Sequence, residues 1–522
     1  MEARASSPVR YSKSRLPMYF HSKASIPPHG RGRPRLHYLL QFLRTVLFGL
    51  VLCGSALAQA SHPAFPTGVV IPEVACIANA KQTYALYLPS SFSDVGLSSG
   101  RTWPIIYVFD PGARGPDAVK AIRAAAEKFG YIVAASNNSR NGANGGSMEA
   151  AEALWNDTQQ RFPIALHRRY VAGMSGGARV ATRIALACHD CVAGVIANAA
   201  GFPIGSEPSR DMKFAYFAAV GNADFNYPEF VELRHKLDNV GARYRIRIFE
   251  GKHGWAPAEV WLEALDWMDL RAMAAGTLAR DQPRIQKTLD GELKRAAEFQ
   301  SESNPLEAFR QYQAIVRDFD GLADISSAQK LFAELERNKT VKAAEKREAT
   351  AVAEQARLAS PLSAQMQAIA SSSLDITEFA ALKREVADLK KQAAKTPNSS
   401  DPKALVVHRA LGELVVQAYE SGQGSMEQKN YRAAQLYFDV ASAGSENPSW
   451  AHYQQARAYA MLPDKKDMLA ELRLALAGGF HDPTALEAPE FQAYREQPEF
   501  QAFVSQWQQA EKTEAKTEGK SN

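Results

Sequence analysis

Cysteine is scarce, with four residues in a chain of 522. That is too few for a scaffold built on disulfides. A membrane span is also missing near the start of the chain. The apolar stretch TVLFGLVLCGSALA, Thr45 to Ala58, has fourteen residues, against the roughly 20 that a bilayer demands. An excess of one charge is absent as well. Lys and Arg number 61 and Asp and Glu 56, and residues 1 to 60 hold nine of the basic residues but one acid. The remainder carries 52 basic and 55 acidic residues. A body so near neutrality excludes the electrostatic footprint of a nucleic-acid or anionic-membrane binder.

What is present at the start has an order. A basic stretch, RGRPRLHYLLQFLR, leads into the apolar run, and AQA follows at Ala58 to Ala60. Basic, apolar, then small residues is the arrangement of a secretory signal. Residues 1–60 are therefore expected to be a signal peptide with a basic extension, and the mature protein periplasmic or secreted, without stable membrane insertion. Leu52 before Cys53 speaks against a lipid anchor. Export leaves Cys76, Cys188 and Cys191, which permit one bridge and one leftover thiol. Cys188-His189-Asp190-Cys191 has zinc-like spacing, but no second ligand pair follows. A structural bridge or buried thiols are preferred to a metal site.

From residue 62 to 275 short apolar runs alternate with amphipathic stretches. The runs are TYALYLPSSF, WPIIYVFDPG, YIVAASNNS, RYVAGMSGG, GVIANAAGF, FAYFAAVGNAD and YRIRIFEGKHG. Segments such as PDAVKAIRAAAEKFG and YPEFVELRHKLDNVG between them read as helices. The alternation predicts an α/β fold, a doubly wound and mostly parallel sheet covered on both faces. Beyond residue 276 strand signals vanish. Residues 276–400 read as helical, with two helices around Asn304-Pro305, a hairpin from Glu307, one long charged helix over Leu331 to Ala356, and coiled-coil spacing over Ala381 to Ala394. KTPNSSDPK, Lys395 to Lys403, reads as a linker. Residues 401–510 contain a 36-residue register that pairs Ala434 with Ala470, Leu436 with Leu472 and Ala441 with Ala477, as in tetratricopeptide-like stacked hairpins. Residues 511–522 are expected to be a disordered tail.

GMSGG, Gly173 to Gly177, lies between a predicted strand and a predicted helix, the context that a G-x-S-x-G turn requires. The sharp turn would hold the Ser175 hydroxyl above the sheet edge, with the Gly176 amide aimed at a developing oxyanion. A serine hydroxyl needs a base to take its proton, and that base needs a carboxylate to fix its tautomer. Asp224 and His253 close two later predicted strands, in the chain order Ser, Asp, His. Asp224 also reads as a helix cap and His253 as a loop residue when each is taken alone. His189 is the runner-up base. His167 lies at the wrong end of its strand. Gly112 and Ala113, in FDPGARG, are the candidate second oxyanion donors, because Pro111 has no amide proton. Asp110 is expected to brace that turn, with Arg114 as a solvated loop residue. Asn137, Asn138 and Arg140 are candidate substrate contacts, and Trp255 a candidate cleft wall.

GMSGG, GNAD and GKHGW in this order resemble the α/β-hydrolase superfamily, within residues 80 to 272. The chain is most similar to small exported esterases of the feruloyl esterase and polyhydroxybutyrate depolymerase type. The resemblance implies Ser175 as nucleophile, His253 as base, Asp224 as acid, an acyl-enzyme cleared by water, no cofactor, and a small or polymeric ester as substrate. FDPGARG departs from the family's usual histidine-glycine oxyanion motif. The helical half looks like the extensions attached to some bacterial hydrolases, and a protein partner is expected there. The rival readings are an inactive ligand-binding scaffold, or a peptidase or acyltransferase using the same triad.

Overall fold

The computed structural model describes residues 65–93, 101–142, 146–188, 190–371, 375–397, 401–462, 465–482 and 484–518. The expected signal segment and His189 lie outside the described residues. Eight strands form one sheet: β1 (Val70–Ala75), β2 (Thr83–Tyr87), β3 (Trp103–Phe109), β4 (Ile132–Ser136), β5 (Ile164–Met174), β6 (Gly194–Asn198), β7 (Ala215–Gly221) and β8 (Tyr244–Phe249). Their order is β1-β2-β4-β3-β5-β6-β7-β8. Strand β2 runs antiparallel to both its neighbours, and β3 to β8 are parallel. The doubly wound, mostly parallel sheet expected from the sequence is present. Strand β1 is an addition to that expectation, because Pro72 and Glu73 interrupt its apolar character. The same two residues sit where its register with β2 shifts, a placement tolerated at a sheet edge.

Strands β3, β4, β6 and β7 are buried along their whole length, so they read as continuous apolar runs rather than alternating ones. Alternate side chains still go to opposite faces. Ile106, Val108, Val133, Tyr170 and Phe217 face α1 (Gly115–Phe129) and α5 (Ala258–Ala274). Tyr107, Phe109, Ala134, Val171 and Tyr216 face α2 (Ser147–Arg161), α3 (Gly176–Ala187) and α4 (Tyr227–Val240). The three strand–helix steps β3-α1-β4, β5-α3-β6 and β7-α4-β8 leave their strand-end loops on one edge.

The remainder is helical. Helices α6 (Gln282–Ser301) and α7 (Pro305–Phe319) meet around Asn304, whose side chain accepts from the Glu307 amide. The single helix expected over Leu331 to Ala356 is two, α8 (Ser326–Glu336) and α9 (Lys339–Ala370). Asn338 breaks it by capping the second through the Thr340 amide. The coiled-coil seam of α10 (Ile376–Ala394) is filled within the chain. Leu382, Val386, Leu389 and Ala393 pack against α11 (Pro402–Glu427) and α12 (Tyr431–Gly444). Helices α13 (Ser449–Ala460) and α14 (Lys465–Ala477) continue the serial stack, and α15 (Pro498–Glu518) closes it. The tail expected to be disordered from residue 511 continues α15 to Glu518, which suits its Ala, Glu, Lys and Gln content.

The change of character at residue 276 is not a break in packing. Ile285, Leu289, Tyr312 and Ile315 belong to the same core as Trp261 and Leu265, and Pro63–Asn522 forms one compact unit. Buried charge reinforces this join. Arg245 on β8 pairs with Asp318 and Glu292, each at 2.8 Å. Burial alone would raise the Asp318 carboxyl, but Arg245, Arg317 and Arg271 hold it below its ordinary value.

Candidate functional site

Ser175 sits between β5 and α3 with φ 54° and ψ −123°, a backbone state that costs a non-glycine residue energy and persists only when its surroundings impose it. The surroundings here are two backbone contacts. A Cβ at Gly173 would run into the Gly177 backbone, and one at Gly177 into the Phe109 carbonyl. The Ser175 amide donates to the Asn198 carbonyl at 2.8 Å. Gly176 and Gly177 open α3, so their amides have no acceptor within the helix.

The Asp224 and His253 loops are drawn together by their strands. Gly221, ending β7, touches the Gly251 carbonyl so closely that a side chain would not fit. The Ala223 amide donates to that carbonyl at 2.9 Å. Asp224 is fully buried. His253 Nδ1 lies 2.9 Å from its Oδ1 and 3.0 Å from its Oδ2. The Asn226 amide donates to Oδ1 at 2.8 Å. Asn226, not Asp224, caps α4. The buried carboxylate is therefore committed to His253 and its own turn, and it fixes the proton on Nδ1, leaving Nε2 as the free acceptor. Phe225 covers the imidazole with ring centroids 4.3 Å apart. Among the described residues no hydrogen bond joins Ser175 Oγ to His253.

Asn198, a residue no sequence motif singles out, links these pieces. Besides receiving the Ser175 amide, it donates from Nδ2 to the Gly254 carbonyl at 2.6 Å and accepts the Ala256 amide at 2.7 Å. The end of β6 thus takes the serine turn on the Asn198 backbone carbonyl and the histidine loop on its fully buried side chain.

The loop after β3 departs from expectation. Gly112 and Ala113 are the oxyanion donors expected by position, but the turn uses both amides itself. Gly112 donates to Asp110 Oδ1 at 2.7 Å and Ala113 to the Asp110 carbonyl at 3.2 Å. Asp110 is the brace. It also takes Arg114 Nε at 2.9 Å and Trp255 Nε1 at 3.1 Å. The bond to Asp110 raises the Arg114 guanidinium above its ordinary value. Trp255 is half-buried and serves this turn. Asn137 and Asn138 point away from the serine, tying the loop after β4 to Pro72, Lys81 and Thr83. Exposed Arg140 pairs through its backbone with Gly112. The next residue is the informative one. The Asn141 amide donates to the Pro111 carbonyl at 2.8 Å, and its side chain lies directly over Gly176.

Helical residues border the same site. Arg409 on α11 donates from Nε to the Asn222 carbonyl at 2.6 Å and stacks 3.7 Å above Tyr227. Gln355 on α9 donates to the Phe225 carbonyl at 2.9 Å. Gly412 of α11 rests on Phe225, and Glu427 of the same helix on Gly142. Glu420 accepts from Asn141 Nδ2 at 3.2 Å. Lys252, beside the histidine, pairs with Glu446. Helix α11 therefore spans from the Asp224 loop to the Asn141 loop, about 27 Å along its axis at 1.5 Å per residue.

Among the described residues no group of His, Cys, Asp and Glu could hold a metal ion. Cys188 and Cys191 form a disulfide, and Cys76 is a buried free thiol.

The strand order and the strand–turn–helix at Ser175 define an α/β-hydrolase fold. No protein-family model and no curated protein matches the chain. Solved structures similar to it include an S-formylglutathione hydrolase from Staphylococcus aureus, 16% identical over 36% of this chain and 90% of that one, with a TM-score of 0.30. A ferulic acid esterase is 19% identical over 38% of this chain and 95% of its own, TM-score 0.30. An S-formylglutathione hydrolase from Agrobacterium tumefaciens is 16% identical over 36% and 90%, TM-score 0.29.

Proposed function

We propose that the chain is an exported serine hydrolase that cleaves carboxylic esters. The observation that carries the reading is the two-oxygen grip of buried Asp224 on His253 Nδ1, beside a serine held in a positive-φ turn. Ser175 Oγ attacks the ester carbonyl while His253 Nε2 takes its proton. The tetrahedral oxyanion is met by the Gly176 amide. Asn141, whose Oδ1 lies nearest Gly176, is the proposed second donor through the Nδ2 hydrogen that Glu420 does not hold, since the Gly112 and Ala113 amides are engaged. His253 then gives its proton to the leaving alcohol, and the acyl group stays on Ser175. A water deprotonated by His253 attacks the acyl-enzyme, releases the acid and restores the hydroxyl.

The helical region is read first as part of the catalytic body, since α9 and α11 border the site. A protein partner would meet the outer face of the later helices, where Trp450, Met461 and Leu474 are exposed.

A fluorophosphonate probe tests the mechanism. The wild type is expected to label, and Ser175→Ala and His253→Ala to lose labelling. An unlabelled wild type sinks the reading in favour of a ligand-binding scaffold. Aryl esters of rising acyl length, then feruloyl esters and peptides, separate an esterase from a peptidase.

A further inference from the structure

Glu420 is the acidic side chain that the helical region brings to the serine turn. Three observations place it beside the serine turn. Its Oε1 accepts from Asn141 Nδ2 at 3.2 Å. Asn141 in turn lies over Gly176, the residue after the nucleophile. The residue is exposed to solvent beside the loop that carries Asn141. Among the described residues no lysine or arginine forms an ion pair with it. His253 and then Arg179 act on it electrostatically, and Arg179 is already held by Glu229 at 2.7 and 2.9 Å.

A carboxylate in this position has no ion-pair partner among the described residues. The surrounding protein lifts its carboxyl above the ordinary value, because the charged form is poorly solvated there. A neutral amide donor offsets part of that cost, and a cation would offset more. We propose that Glu420 is a specificity-determining residue, forming a subsite for a positively charged nitrogen on the substrate's acyl or alcohol part. The proposal rests on the serine hydrolase reading above. It gives α11 a chemical role, since the helix closes one side of the cleft and fixes the charge that a substrate must present. An anionic ester would meet Glu420 unfavourably at the same place.

The test uses the full chain and a matched ester pair, an acetate ester of a trimethylammonium-ethyl alcohol and its neutral 3,3-dimethylbutyl isostere. The reading is the ratio of kcat/KM for the cationic ester to that for the neutral one. The ratio should fall roughly tenfold in Glu420→Gln, the size expected from losing one partly enclosed charge pair, and invert in Glu420→Lys. Glutamine keeps the shape and the capacity to bond Asn141, so a role limited to bracing that loop would leave the ratio unmoved. Tetramethylammonium should also slow fluorophosphonate labelling of the wild type and lose that effect in Glu420→Gln. This arm needs no ester turnover. An equal ratio in wild type and Glu420→Gln, with Ser175-dependent hydrolysis intact, overturns the cation subsite and leaves the esterase reading standing. Hydrolysis identical in wild type and Ser175→Ala overturns both.

Discussion

Asp224 and His253 meet across 29 residues of sequence, and Asn141 and Glu420 across 279. The first pair belongs to the sheet half and is positioned by neighbouring strands whose loops share backbone bonds. The second joins the sheet half to a helix that carries none of the expected chemistry. The sheet half supplies a reaction mechanism that many substrates would satisfy. On the proposed reading, the helical half supplies a wall and a charge that would select among substrates. Reactivity and selectivity would then be divided between two stretches of chain that differ in composition but share a core.

The division can be broken at its strongest point first. Ser175→Ala or His253→Ala should lower kcat/KM on a neutral ester by roughly 10³-fold or more, measured by initial rates, while the melting temperature stays near that of the wild type. Next in size is the join between the halves. Asp318→Ala leaves Arg245, Arg271 and Arg317 crowded without their central acid, and should cost about 3–5 kcal/mol in chemical denaturation. Asp318 also ties stability to pH. Its folded pKa is depressed, so its contribution is present above the ordinary aspartate value of about 3.9 and is lost as pH falls through the folded value. Asn198→Ala should cut kcat by about 100-fold with a smaller change in KM, because it removes both side-chain bonds that hold the histidine loop while leaving the backbone carbonyl that receives the Ser175 amide. The smallest effect belongs to Arg409→Ala. It removes the bond to Asn222 and the stacking on Tyr227, worth about 1–2 kcal/mol of stability together. If that variant raised KM for cationic esters as strongly as Glu420→Gln, the charge at Glu420 would not be the selective element, and the fit of α11 would be.

The part of this architecture that is legible in the sequence is the part built from local signals. Apolar runs, most of them ending in Gly, Pro, Asp or Asn, mark seven of the strands, and the serine turn, Asp224 and His253 each close one of them. Strand β1 is hidden by Pro72, and the break between α8 and α9 by helix-forming neighbours of Asn338. Asn198 looks like any polar residue ending a strand. Its importance comes from three bonds to two other loops, and no spacing announces that. Gly112 and Ala113 are reasonable donors by position, but the acid two or three residues earlier competes for the same region of backbone. Glu413, Glu420 and Glu427 recur every seven residues on α11, a regularity open to reading, yet what that face meets depends on how α9 and α11 dock. Such long-range docking leaves no periodicity of its own.

The shared core has a practical consequence. A chain cut at residue 275, where the composition changes, would uncover the side of α5 that Ile285, Leu289 and Ile315 close over Trp261 and Leu265, and would strand Arg245 without Asp318 and Glu292. Exposed apolar surface of that kind invites self-association. The shorter protein should aggregate when expressed alone, so the boundary that composition suggests is a poor place to divide the molecule.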